Sequence, residues 1–156
     1  VAQRISGAVD DLDTTIRDIR TAIFELRTPA NAALRTEIRD LVAAAAEALG
    51  FRPELRLDGP IDSAVPDEIR PDLLAVVREA LSNTARHARA TAVRITVEAV
   101  NRRLTVTVVD NGVGASGAQP RGGLVNLRER ATLHGGDFAI GPAETTGTRV
   151  VWSVPI

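Results

Sequence analysis

Residues 92–114 read AVRITVEAVNRRLTVTVVDNGVG. The runs AVRITVEAV (92–100) and RLTVTVVD (103–110) are dense in β-branched side chains, with polar residues set between the apolar ones. A period of two predicts strands with one face turned to a core. Only Asn101 and Arg102 separate the runs, so together they predict an antiparallel hairpin. The second strand continues directly into DNGVG, residues 110–114. Asp110 would stand at the strand's end, where a carboxylate can accept hydrogen bonds from an amino group in a pocket. Gly112 and Gly114 would let the backbone approach a flat ligand closely. A plain β-turn uses Asp-Asn-Gly equally well, so this stretch alone leaves both readings open.

Upstream of the hairpin, Leu34, Ile38, Leu41, Val42, Ala45 and Leu49 share one face of a helix that Gly50 should stop. FRPELRL (51–57) is a weak strand, DGPIDSAVP a loop, and a further helix runs from about Pro66 to Ala88. Downstream, a glycine-rich loop covers 111–123, a helix runs from about Leu124 to Leu133, and DFAIGP and TRVVWSVPI supply two strands around a turn at Glu144 to Gly147. Strands and helices do not alternate strictly. The order predicts an α+β fold, with helices on one face of a mixed sheet.

The opening segment differs from the rest. Ala2, Ile5, Val9, Leu12, Ile16, Ile19, Ile23 and Leu26 follow an unbroken 3–4 alternation, and Thr28-Pro29 ends it. A surface helix packed on its own domain usually shows a wider stripe, so the strict seam favours a helical bundle with partner helices elsewhere. The chain opens inside this pattern without a cap, which suggests a piece of a longer protein.

Composition narrows the function classes. Of 156 residues, 44% are apolar and 25% charged, the balance of a soluble globular domain. Net charge is −1, so no global field argues for nucleic acid. All 19 basic residues are arginine, and the absence of cysteine excludes disulfides and thiolate metal sites. The longest apolar run, LVAAAAEAL (41–49), is too short to span a bilayer, and the first residues show no signal-peptide pattern. No membrane contact is expected, and a cytoplasmic location is.

Two further stretches carry chemistry. In REALSNTARHARA (78–90), Glu79, Asn83, Arg86 and His87 recur at helical spacing beside the core-facing Leu73, Val77, Ala80, Leu81 and Thr84. Such a set is often no more than a solvated helix flank. In RGGLVNLRERA (121–131), two glycines lead into a helix, whose free N–H groups and positive dipole end suit a phosphate. Glycines also simply punctuate helix starts.

In this order the three stretches resemble the nucleotide-binding motifs of the Bergerat-fold (GHKL) ATPases and kinases, the group containing gyrase, Hsp90 and the sensor histidine kinases. REALSNTARHARA matches the asparagine box, DNGVG the first glycine box and RGGLVNLRERA the second, and GTRVVWSVP is similar to the final strand. The resemblance covers roughly residues 34–156 and is strongest to histidine kinases that partner NarL-type response regulators. The segment DDLDTTIRDIRTAIFELRTP resembles the second helix of their dimerisation and phosphotransfer domain, with wording like that of actinobacterial GAF-domain oxygen or redox sensors.

The resemblance implies a two-layer α/β sandwich at residues 30–156 as the ATP-binding catalytic domain, preceded at 1–29 by one helix of the dimerisation bundle. It implies ATP and Mg²⁺ as cofactors. Asn83 would coordinate Mg²⁺ through its side-chain oxygen, and Glu79 would support the metal's water shell. Arg86 would contact phosphate where many relatives carry lysine, and His87 would wall the nucleotide. Asp110 would accept the adenine amino proton, with Thr148 supporting the base. Gly112, Gly114, Gly122 and Gly123 would shape the pocket and lid, and Leu124 and Asn126 would open the lid helix. Arg121, Arg128 and Arg130 could neutralise phosphate or be solvated. His134 would end its helix near the C-terminal dipole, and Trp152 would be packing.

The implied reaction moves the ATP γ-phosphoryl group to a histidine and then to a response-regulator aspartate. Residues 1–29 hold no histidine, so the acceptor would lie before residue 1, and the chain would not phosphorylate itself. The implied partners are that missing helix, a NarL-type regulator and a second copy in the full-length kinase. Only Ala115 to Arg121 separate the two glycine boxes, a short lid that implies modest ATP affinity. Rival readings are a hydrolytic GHKL ATPase, an anti-sigma-factor serine kinase and a non-catalytic interaction module. The heptad lead-in disfavours the first two, and the intact Asn83, Asp110 and glycine set disfavours the third.

Overall fold

The computed structural model describes residue 8, residues 10–19, residues 33–114 and residues 123–156. The chain divides into two compact units, Val1–Ala32 and Ala33–Ile156. In the first, residues 10–19 are helical, and the seam residues Leu12, Ile16 and Ile19 are 62%, 47% and 53% exposed. The other seam positions and the break at Thr28-Pro29 lie outside the described residues.

The second unit is α+β, as the sequence predicts. Helix α1 spans Leu34–Leu49 and buries Leu34, Ile38, Leu41 and Val42. It ends at Gly50 in the left-handed conformation, whose N–H donates to the Ala46 carbonyl at 2.9 Å. Strand β1 is Glu54–Asp58. The segment expected to be pure loop contains a one-turn helix α2, Ile61–Ala64, which seats Ile61 in the core. Helix α3 spans Arg70–Asn83, with Pro71 in its first turn, where a missing N–H costs nothing.

Strands β2 (Val93–Val100) and β3 (Arg103–Asp110) form the predicted hairpin, in register from Val93 opposite Asp110 to Val100 opposite Arg103. Asn101 and Arg102 both take positive φ, 53° and 59°, the geometry of a two-residue turn that matches strand twist. Helix α4 is Gly123–Leu133, and strands β4 (Asp137–Pro142) and β5 (Thr148–Pro155) complete the chain. The sheet order is β1-β2-β3-β5-β4, with β1 parallel to β2 and the other pairs antiparallel.

One face of this sheet is the core. Val93, Ile95, Val97 and Ala99 on β2, Leu104, Val106 and Val108 on β3, and Val150, Trp152 and Val154 on β5 are all buried. They form one cluster with α1, α3 and α4. Trp152 is 0% exposed between Val106 and Phe138, so the packing role read from its strand alternation holds. The inward register does not stop at Val108. Its next position is Asp110, a carboxylate 7% exposed at the margin of an apolar core.

Candidate nucleotide-binding site

Asp110 is the fixed point of the site. Its Oδ1 accepts the Gly112 N–H at 2.9 Å and the Thr148 N–H at 3.2 Å, so one oxygen ties the first glycine box to the last strand. Its Oδ2 takes no hydrogen bond from a described residue, which leaves one carboxylate oxygen available to an outside donor. Gly147 completes the tie. It lies at φ 98°, and a side chain there would collide with the Asp110 carbonyl and stand 2.7 Å from Oδ1. Its place beside Asp110 is not visible from the turn pattern that locates it in the sequence.

The DNGVG loop docks on the end of the asparagine-box helix. The Val113 N–H donates to the Ala88 carbonyl at 2.8 Å, and any side chain at Gly112 would run into that same carbonyl. Gly114 lies beside the Gly147 carbonyl. Asn111, which the motif reading passes over, acts as the loop's staple. Its Oδ1 accepts the Thr91 and Ala92 N–H groups at 2.9 Å each, and its Nδ2 donates to Thr91 Oγ1 at 2.9 Å.

Helix α3 does not run to Ala88 as one α-helix. The α form ends at Asn83, and Thr84–Ala88 form a π turn that closes with Arg89 in the left-handed conformation at φ 48°. A π turn adds a residue per loop and rotates the residues beyond it, and such turns gather at functional sites. Thr84 and Ala88 are buried by this turn, while Arg86 and His87 point to solvent. The uniform helical face expected for Glu79, Asn83, Arg86 and His87 therefore holds only for the first two.

Glu79 and Asn83 sit one α turn apart, both half-buried. The Glu79 carboxylate lies against Gly123 at the start of α4, where a side chain would collide with it. The Asn83 Nδ2 is buried and has no hydrogen-bond partner. Leaving such a group unpaired costs about 1–3 kcal/mol, so it marks a place that a ligand could satisfy. Leu124 is half-buried against the core, and Asn126 is exposed on the first turns of α4. Gly122, Arg121 and the lid residues lie outside the described residues.

The other candidate cations are engaged elsewhere. Arg130 pairs with Asp72 in the first turn of α3, and Arg128 stands over the Phe138 ring at 5.8 Å. His134 does more than close its helix, because its Nε2 meets Asp72 Oδ2 at 2.6 Å. A groove of about 440 Å³ lies at the far end of the strands, lined by Gly59, Ala99, Val100 and Ile156 among others. It is separate from this site. Among the described residues no helix is long and apolar enough to cross a membrane.

Comparisons with known proteins identify the family and the fold. Residues 68–156 match the family described as histidine kinase-, DNA gyrase B-, and HSP90-like ATPase. The chain is 28% identical over 148 residues to the signal transduction histidine-protein kinase/phosphatase DegS of Brevibacillus brevis, covering 92% of this chain and 38% of DegS. It is 29% identical over 163 residues to the sensor histidine kinase NarS of Mycobacterium tuberculosis, covering 99% of this chain and 37% of NarS. The chain thus spans well under half the length of these relatives. Among solved structures, the histidine kinase domain of the Erythrobacter litoralis EL346 blue-light activated histidine kinase shares the fold. The TM-score is 0.65 at 21% identity, over 84% of this chain and 67% of that one. This chain belongs to the histidine kinase-, DNA gyrase B- and HSP90-like ATPase family, and it has the Bergerat fold of the solved histidine kinase domains.

Proposed function

We propose that the chain binds ATP with Mg²⁺ and is the catalytic part of a two-component sensor histidine kinase of the NarL-partnered type. In this reading residues 1–29 are the second helix of a dimerisation and phosphotransfer domain, and residues 30–156 are the ATP-binding domain. The wording of the opening helix favours an actinobacterial GAF-domain oxygen or redox sensor, working in the cytoplasm as a homodimer. The supporting observation is the half-committed Asp110. One oxygen is pinned by two backbone N–H groups, and the other is left for a donor such as the adenine amino group. Thr148 then supports the base from β5.

Among the described residues no three His, Cys, Asp or Glu side chains converge as a metal cluster. Mg²⁺ needs no such cage, since it keeps most of its waters and takes phosphate oxygens. A carboxamide with one buried, unpartnered end suits it, because the amide can turn to present oxygen. Asn83 would hold the ion, which when bound neutralises phosphate charge, and Glu79 would orient its water shell. Arg86 would meet the phosphates and His87 would wall the nucleotide. Gly112, Gly114, Gly122 and Gly123 would shape the cavity, with Leu124 and Asn126 opening the lid helix.

Phosphoryl transfer asks little covalent chemistry of the protein, so these residues act by position and charge. An imidazole nitrogen of a histidine outside residues 1–156 attacks the γ-phosphorus as its bond to the ADP oxygen breaks. The group then passes to an aspartate of a response regulator. The test mixes this chain with a separately made phosphotransfer helix pair and γ-labelled ATP. Label should appear on the acceptor histidine and vanish with Asn83→Ala. Release of inorganic phosphate with no labelled histidine would place the chain with the hydrolytic relatives instead.

A further inference from the structure

Asp72, Arg130 and His134 form a charged cluster away from the nucleotide site. Asp72 stands in the first turn of α3, and its two oxygens meet Arg130 and, at 2.6 Å, His134 Nε2. Asp72 and His134 side chains are only 13% and 15% exposed, so this is not a solvent-screened surface pair. Acid at a helix start and base at a helix end also complement both dipoles.

The spacing of the contacts adds to this. Asp72 and Glu79 are seven residues apart on α3, as are Gly123 and Arg130 on α4. Each interval is about 10.5 Å, two helical turns. Asp72 meets Arg130 while Glu79 meets Gly123, so the helices run antiparallel with their contacts in matching register. Between the two contacts the fully buried Val76 and Leu127 occupy the middle of each interval. Helix α3 then extends one turn past the start of α4, to Asn83. Apolar packing alone tolerates sliding and rotation, but a two-oxygen contact to two side chains sets both.

We infer that Asp72 is a positioning residue for nucleotide binding. Acting through Arg130 and His134, it holds the C-terminal end of α4. It thereby sets where the first turn of α4 stands relative to Glu79 and Asn83. This rests on the reading that the phosphates are met at that first turn while the base is held at Asp110. The clamp then governs the phosphate share of affinity and leaves the adenosine share alone.

The test compares ATP and adenosine binding by calorimetry for the 156-residue chain and for Asp72→Ala, Asp72→Asn and Asp72→Glu. Nucleotide-free melting curves verify folding. Asp72→Ala should weaken ATP binding about tenfold while adenosine affinity holds, and Asp72→Glu should restore part of the loss. Asp72→Asn, which keeps the shape and one hydrogen bond, covers the case in which the alanine variant does not fold. ATP affinity unchanged in a folded variant, even one that melts earlier, would reduce the cluster to a structural staple and overturn the inference. Equal losses for ATP and adenosine would overturn it too. Unmodified chain that binds ATP no more tightly than adenosine would instead defeat the phosphate reading itself.

Discussion

A carboxylate at the end of an apolar strand is costly unless its oxygens are satisfied, and Asp110 is satisfied on one side only. Its specificity follows from that asymmetry. Asp110→Asn keeps an acceptor for the Gly112 and Thr148 N–H groups but turns the free side into a donor that faces another donor. ATP affinity by calorimetry should fall roughly 10–100-fold, about 1–3 kcal/mol, with the melting point little changed. An Asp110→Asn variant that binds ATP as the unmodified chain does would remove Asp110 from base recognition. Asp110 and Asn83 can be found in the sequence because each sits in a motif of fixed local spacing. Gly147, Asn111 and Asp72 cannot. Their partners lie far along the chain, as with Asp72 and His134, 62 residues apart, and no local pattern encodes such a meeting.

At the scale of elements, the hairpin and helix α1 are readable because burial repeats with the period of the element itself. Val93, Ile95, Val97 and Ala99 alternate, and Leu34, Ile38, Leu41 and Val42 follow a helical stripe. The π turn at Thr84–Ala88 is not readable. Its widened loop is decided by the burial of Thr84 and Ala88 and by the docking of Val113 on the Ala88 carbonyl, all tertiary events. The one-turn helix Ile61–Ala64 is likewise too short to show a period. The hairpin turn offers a test of the local physics. Arg102 carries a side chain at φ 59°, where glycine is at ease. Arg102→Gly should raise the melting temperature by about 2–5 °C, since the turn lies far from Asp110 and binding should not change. A lower melting temperature would mean that the Arg102 side chain stabilises more than its backbone costs.

For the molecule as a whole, the described core lies entirely within residues 34–156, while the described part of the first unit presents Leu12, Ile16 and Ile19 to solvent. Exposed large apolar residues at heptad spacing favour association with another helix. Sedimentation should therefore show self-association of the chain at high concentration, weakened by Ile16→Asp with ATP affinity unaltered. A chain that stays monomeric regardless would refute a role for this seam in pairing. The fold also fixes what light can report. Trp152 is the only tryptophan, tyrosine is absent, and the indole sits at 0% exposure opposite Val106, four strand positions from Asp110. Intrinsic fluorescence is thus a single-channel gauge of core hydration. Unfolding registers in it as the emission moves to the red, whereas occupancy of the nucleotide site should leave the emission unchanged and is followed by calorimetry instead.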